Sequence, residues 1–142
     1  MAGQTSLQVI EGAEKALRAN DWKSFGELHA ENVVLHAPDQ PEPVKGRAAV
    51  IEWYRGFSTA FPDLNPARTS AVAQGDWIAA EYNVTGTHTG TLAGPGGLPI
   101  PPTNKEVEVA NAAFYKIRDG KIVEIHEYFD LAGFMAQLGL GP

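Results

Sequence analysis

Apolar and polar positions follow two rhythms along this chain, and the change from one to the other divides it. In the first part Leu7, Ile10, Ala13 (or Glu14) and Leu17 recur at the spacing of one helix face, with Thr5 or Ser6 placed to cap it. The spacing predicts a helix over about residues 6–20. Asn20 or Asp21 can cap a second, short helix carrying Trp22, Phe25 and Leu28, and the run Val33-Val34-Leu35-His36 then reads as a strand. A Pro-rich loop, Pro38 to Pro43, leads into a third helix from Gly46 to Ala60. Its stripe is Val50, Trp53, Tyr54 and Phe57, and Phe61-Pro62-Asp63-Leu64 stops it.

From Pro66 onward the period is two. Ile78, Ala80, Tyr82 and Val84 oppose Trp77, Ala79, Glu81 and Asn83, and Gly75-Asp76 turns this strand back on Thr69 to Gln74. Gly86-Thr87-His88-Thr89-Gly90 ends or bends it, and Gly94 to Pro102 reads as a loop. Val107 to Ile117 and Lys121 to Phe129 form a last hairpin around Asp119-Gly120. Helices followed by a meander of strands predict one α+β domain, with the helices on one face of a curved, mainly antiparallel sheet.

The final strand carries the chemistry. Strict alternation puts Ile122, Glu124, His126, Tyr128 and Asp130 on one face and Val123, Ile125, Glu127 and Phe129 on the other. His126 and Asp130 lie about 13 Å apart on an ideal strand, which suits two walls of one pocket better than a direct pair. Tyr128 between them offers a phenolic donor or a packing ring. The apolar tail after Asp130, Leu131 to Gly139, can fold back as a lid, and Asp130 is also placed to cap a helix over Leu131 to Leu138. The opposite face, with Val123, Ile125 and Phe129, is apolar enough to predict burial in a homodimer.

Composition narrows the partners. A net charge of −6 without a Lys/Arg cluster argues against nucleic acid and anionic membranes. The absence of cysteine removes disulfides, thiolate metal sites and a Cys nucleophile. Neither a signal-type N-terminus nor a membrane-length apolar run stands in the 142 residues, so a cytoplasmic location is expected.

In their order and spacing, Ala60-Phe61-Pro62-Asp63-Leu64, Gly75-Asp76, Gly86-Thr87-His88-Thr89-Gly90, Pro101-Pro102-Thr103-Asn104-Lys105, Asp119 to Glu124, Asp130 and Gln137-Leu138-Gly139 resemble the SnoaL-like polyketide cyclase (ester cyclase) family. That family belongs to the nuclear-transport-factor-2-like superfamily of cone-shaped α+β barrels. The resemblance implies a deep apolar pocket and an aspartate, at Asp130 here, that closes a ring by intramolecular aldol chemistry without metal or organic cofactor. Where many members carry an aromatic residue, often Trp, this chain has His126, which implies a more polar pocket.

On this reading Asp130 is the general base and later acid, and His126, with His36 or His88, stabilises the enolate oxygen. Trp53, Tyr54, Phe57 and Tyr128 shape the site for an apolar, carbonyl-bearing small molecule. Asn111 interrupts an apolar face and needs a ligand or backbone partner. No histidine pair has the helical i, i+4 spacing of a metal site, so none is expected. A non-catalytic binding module is the alternative, as is a hydratase or epoxide hydrolase, for which Arg47, Arg55, Arg68 and Arg118 do not assemble a network by pattern alone.

Overall fold

The computed structural model describes residues 5–94 and 97–141. The helices are α1 (Ser6–Arg18), α2 (Trp22–Glu27), α3 (Arg47–Ala60) and α4 (Leu131–Gln137). The main strands are β1 (His29–His36), β2 (Val44–Lys45), β3 (Asn65–Gln74), β4 (Trp77–Thr87), β7 (Glu106–Arg118) and β8 (Lys121–Phe129), with β5 (Leu92–Ala93) and β6 (Pro99–Ile100) as a separate ribbon. All four helices and the two long hairpins stand where the periodicity predicts them. The segment read as a loop from Gly94 to Pro102 differs: Pro99–Ile100 pairs with Leu92–Ala93, while Pro95 and Gly96 lie outside the described residues.

Local chemistry explains the boundaries. Thr5 and Gln8 form a reciprocal capping box at α1, and Asp21 Oδ1 accepts from Ser24 N–H at α2. Asp119 and Gly120 both have positive φ, 53° and 74°, the pairing a tight hairpin turn requires. After α4, Gly139 (φ 78°) lets Leu140 N–H reach Met135 O and its own N–H reach Ala136 O, closing the helix.

The six-stranded sheet has the order β2-β1-β8-β7-β4-β3. Every pairing is antiparallel except β1 with β8, which runs parallel and sets His36 beside His126. The helices cover one face. Val9, Ile10, Phe25 and Val50 from α1 to α3 meet Val33, Ile78, Ile122 and Ile125 in the larger core. A smaller core forms where Phe134 of α4 and Leu138 at its C-terminal cap pack on Ala60, Phe61, Leu92 and Val107. Among the described residues no helix is long and apolar enough to cross a membrane.

One irregularity changes which side chains face inward. Lys116 pairs with Glu124 and Ile117 with Ile122, so Val123 is an extra residue in β8. Ile122 therefore joins Ile125, Glu127 and Phe129 on the helix-covered side, and Glu124, His126 and Tyr128 point away from it. This corrects two expectations. His126 and Tyr128 do not line a pocket with the helices, and the apolar face expected at a dimer contact is interior, with Ile125 fully buried.

Three of the motifs that carry the family resemblance, around Phe61-Asp63, Thr87-Gly90 and Thr103-Lys105, interlock at one end of the sheet. Asp63 accepts from Thr87 N–H at 2.7 Å and from its hydroxyl at 2.9 Å, and Phe61 stacks on His88 with centroids 5.2 Å apart. The Thr89 and Gly90 N–H groups both donate to Ala60 O, at 3.1 and 3.0 Å. A Cβ on Gly90 would come within 2.1 Å of the Thr59 carbonyl oxygen. We expect Gly90→Ala to lower stability by about 1–3 kcal/mol, because the bend after β4 must move off the end of α3. A urea-unfolding midpoint unchanged from wild type would overturn this.

Candidate active site

Between the helices and the inner sheet face lies a cavity of about 140 Å³. One water needs only ~10–15 Å³ on the same measure, so the space is of ligand size. Trp53, Tyr54 and Phe57 of α3 line it, as does Asn111 of β7, and these four stand where the sequence reading put them. Most of the remaining wall is aliphatic or aromatic. Most of its polar groups fall into two clusters.

The first centres on Glu127, which is 6 % exposed. Tyr54 Oη donates to Glu127 Oε2 at 2.7 Å, and Asn111 Nδ2 donates to Oε1 at 3.0 Å. Burial raises the Glu127 carboxyl above its ordinary range, and the bonds from Tyr54 and Asn111 pull it back only in part. The second cluster joins α1 to the sheet: Glu14 Oε2 accepts from Tyr82 Oη at 2.7 Å and from Arg68 Nε at 3.0 Å. Tyr115 Oη lies 3.3 Å from Tyr82 Oη. Burial pushes the phenols of Tyr54, Tyr82 and Tyr115 far up, so all three remain protonated donors. His29, also on the wall, bonds Phe25 O through Nδ1 at 2.7 Å, and desolvation lowers it to about 4, leaving it neutral.

The other expected site residues lie elsewhere. Asp130 is exposed and caps α4, its Oδ1 accepting from Gly133 N–H at 2.9 Å. It does not line the cavity. His88 is fully buried near the smaller core, where its Nδ1 accepts from Thr103 N–H at 3.2 Å with Thr103 Oγ1 at 3.0 Å. That arrangement puts the ring proton on Nε2, which has no partner among the described residues. His36 and His126 stack on the outer sheet face, and Tyr128 is exposed there beside Phe114.

Glu127, Glu14, Tyr82, Tyr115 and His29 were missed as site residues. Glu127 had a signal, being the single carboxylate among Val123, Ile125 and Phe129. Tyr82 shared the inner face of its strand with Ile78, Ala80 and Val84. Nothing in the spacing joined Glu14 to Arg68, because they meet only when α1 packs on β3.

A family model for SnoaL-like polyketide cyclases matches residues 8–138. The chain belongs to that family. A curated relative, the nogalonic acid methyl ester cyclase of Streptomyces nogalater, is 28% identical over 95 residues, covering 67% of this chain and 66% of its own. The match thus spans just under two thirds of that relative. Wild-type IdmH of Streptomyces antibioticus superposes with a TM-score of 0.80 at 26% identity, over 96% of this chain and 100% of that one. A SnoaL-like structure from Jannaschia sp. CCS1 has a TM-score of 0.79 at 18% identity, with both chains fully covered. The architecture is that of the nuclear-transport-factor-2-like fold.

The raised Glu127 carboxyl makes a stability prediction for this SnoaL-like chain. A group whose folded pKa lies above its ordinary 4.5 adds stability that is complete below pH 4.5 and is lost as pH rises through the folded value. The wild-type Tm, measured relative to Glu127→Gln, should therefore fall as pH climbs from 4.5 toward neutral. A difference that stays flat, or rises with pH, would contradict a desolvated carboxyl.

Proposed function

We propose that this chain is a cofactor-independent cyclase or isomerase acting on an apolar, carbonyl-bearing small molecule of polyketide type, with Glu127 as its acid/base group. The observation that carries the reading is the buried Glu127 carboxyl, held by Tyr54 and Asn111 on the wall of an apolar cavity. A carboxyl raised by desolvation exchanges a proton more readily near neutral pH than a solvated one. The resemblance casts Asp130 as the base, but its exposed cap position supports moving that role to Glu127.

In the proposed reaction Glu127 takes a proton from the carbon next to a carbonyl. The enolate carbon attacks a second carbonyl of the same molecule, forming one carbon–carbon bond, and the alkoxide takes the proton back. Atoms and electrons balance with no co-reactant, and the product is an isomer of the substrate. Tyr82 gives its one proton to Glu14, so the Tyr115 hydroxyl, on the cavity wall and only 3.3 Å from Tyr82 Oη, is the donor free to turn to the oxyanion. The curated relative's name makes nogalonic acid methyl ester the first compound to screen.

We expect Glu127→Gln to lower kcat/KM by about 10²–10⁴-fold. Asp130→Asn should keep activity within a few-fold, and Asp130→Ala should cost roughly 1 kcal/mol of stability as a lost cap. Undiminished turnover by Glu127→Gln alongside a dead Asp130→Asn would return the role to Asp130.

The Glu14–Arg68 pair favours a second reading. It puts on the same cavity wall a carboxylate, Glu14, that a guanidinium behind the lining holds at 3.0 Å, an arrangement suited to orienting a water for hydration or epoxide opening. Product mass decides: an isomer supports cyclisation, and a gain of one water, labelled in H₂¹⁸O, supports a hydratase.

A further inference from the structure

The outer face of the sheet carries a cluster that the cavity chemistry does not use. His36 and His126 are register partners across the parallel β1–β8 pair, so their side chains leave the sheet side by side. Their rings stack with centroids 4.4 Å apart and planes 4° from parallel. Glu124 precedes His126 by two residues and shares its face, with Oε2 at 2.5 Å from His126 Nε2. One ligating atom from each of the three can be chosen so that all lie within 4.8 Å of one another. All three side chains are half-buried, and the Trp77 ring, 6.0 Å from that of His126, lies against the group.

We propose that His36, Glu124 and His126 form a binding site for a divalent transition metal of the Zn²⁺ type. Two imidazole nitrogens and one carboxylate oxygen are a donor set that such borderline metals take, whereas Mg²⁺ prefers oxygen donors and water. Ligands at ~2.1 Å around a tetrahedral ion stand roughly 3.4 Å apart, so the cluster closes on an ion through side-chain rotation of about an ångström. The backbone template is rigid: two ligands alternate on one strand, and the third sits opposite on its hydrogen-bonded neighbour. Bound metal replaces the Glu124–His126 contact with bonds to both rings and the carboxylate. The nearby cation is Lys116, whose ammonium lies 5.8 Å from the centre of the Trp77 ring, and the Glu124 charge offsets it. Three protein ligands leave at least one coordination position for water or an incoming donor. The site is on the opposite side of β8 from Glu127, so it stands or falls independently of the proposed cyclase chemistry.

The test uses the tag-free full chain, stripped with chelator and titrated with Zn²⁺ by calorimetry and with Co²⁺ by visible absorption. One equivalent of Zn²⁺ should bind, Co²⁺ should show the bands of a low-coordinate site, and Mg²⁺ should not compete. Imidazole ¹H–¹⁵N spectra should shift at His36 and His126 on Zn²⁺ addition and stay unchanged at the buried His29 and His88. His126→Ala and Glu124→Gln should each weaken Zn²⁺ binding by about 100-fold or more. Equal affinity in the folded variants, shifts at other histidines, or competition by Mg²⁺ would overturn the proposal. The spectra of the wild-type chain decide the matter should either variant misfold.

Discussion

A carboxyl group that enters an apolar interior must bring its hydrogen-bond donors with it, and Glu127 does so with one donor from a helix and one from a neighbouring strand. Leaving such a group unpartnered costs about 1–3 kcal/mol, more when it is charged. Tyr54 reaches it from α3 and Asn111 from β7, so the bond set ties the helix layer to the sheet across the cavity. Glu14 repeats the logic from α1, satisfied by Tyr82 and Arg68 of β4 and β3. The cavity persists between two polar struts, and its remaining wall is free to be apolar.

The extra residue at Val123 decides which chemistry goes to which side of the sheet. On the inner side it places Glu127 among aromatic rings. On the outer side it leaves Glu124, His126 and Tyr128, with His36 brought alongside by the parallel pairing. A side-chain period of two means a single insertion re-phases the strand, so the two halves of β8 on either side of Val123 follow different parities.

The family-like motifs are mostly architectural. Asp63 with Thr87, Gly90 against the end of α3, and His88 with Thr103 hold the rim at which α3, β4 and the 101–105 segment meet. Gln137 of α4 adds to this frame, its side-chain amide bonding both the N–H and the C=O of Glu108 at 2.8 and 2.9 Å. These residues set where the cavity stands, while the groups lining it come from less distinctive positions along the chain.

What the sequence by itself determined was the four helices and the two long hairpins. Helical stripes such as Val50, Trp53, Tyr54 and Phe57, caps such as Thr5 and Asp21, and the Asp119-Gly120 turn act over a few residues, where local sterics and hydrogen bonds decide. The inward placement of Trp53, Tyr54, Phe57 and Asn111 was legible for the same reason, since each follows the period of its own element. Only the tertiary structure decided the rest. The bulge at Val123 arises from pairing with β7 and reverses the expected faces for His126 and Glu127. The Glu14–Arg68 and His36–His126 neighbours come from elements far apart in sequence, brought together by packing that no local pattern records.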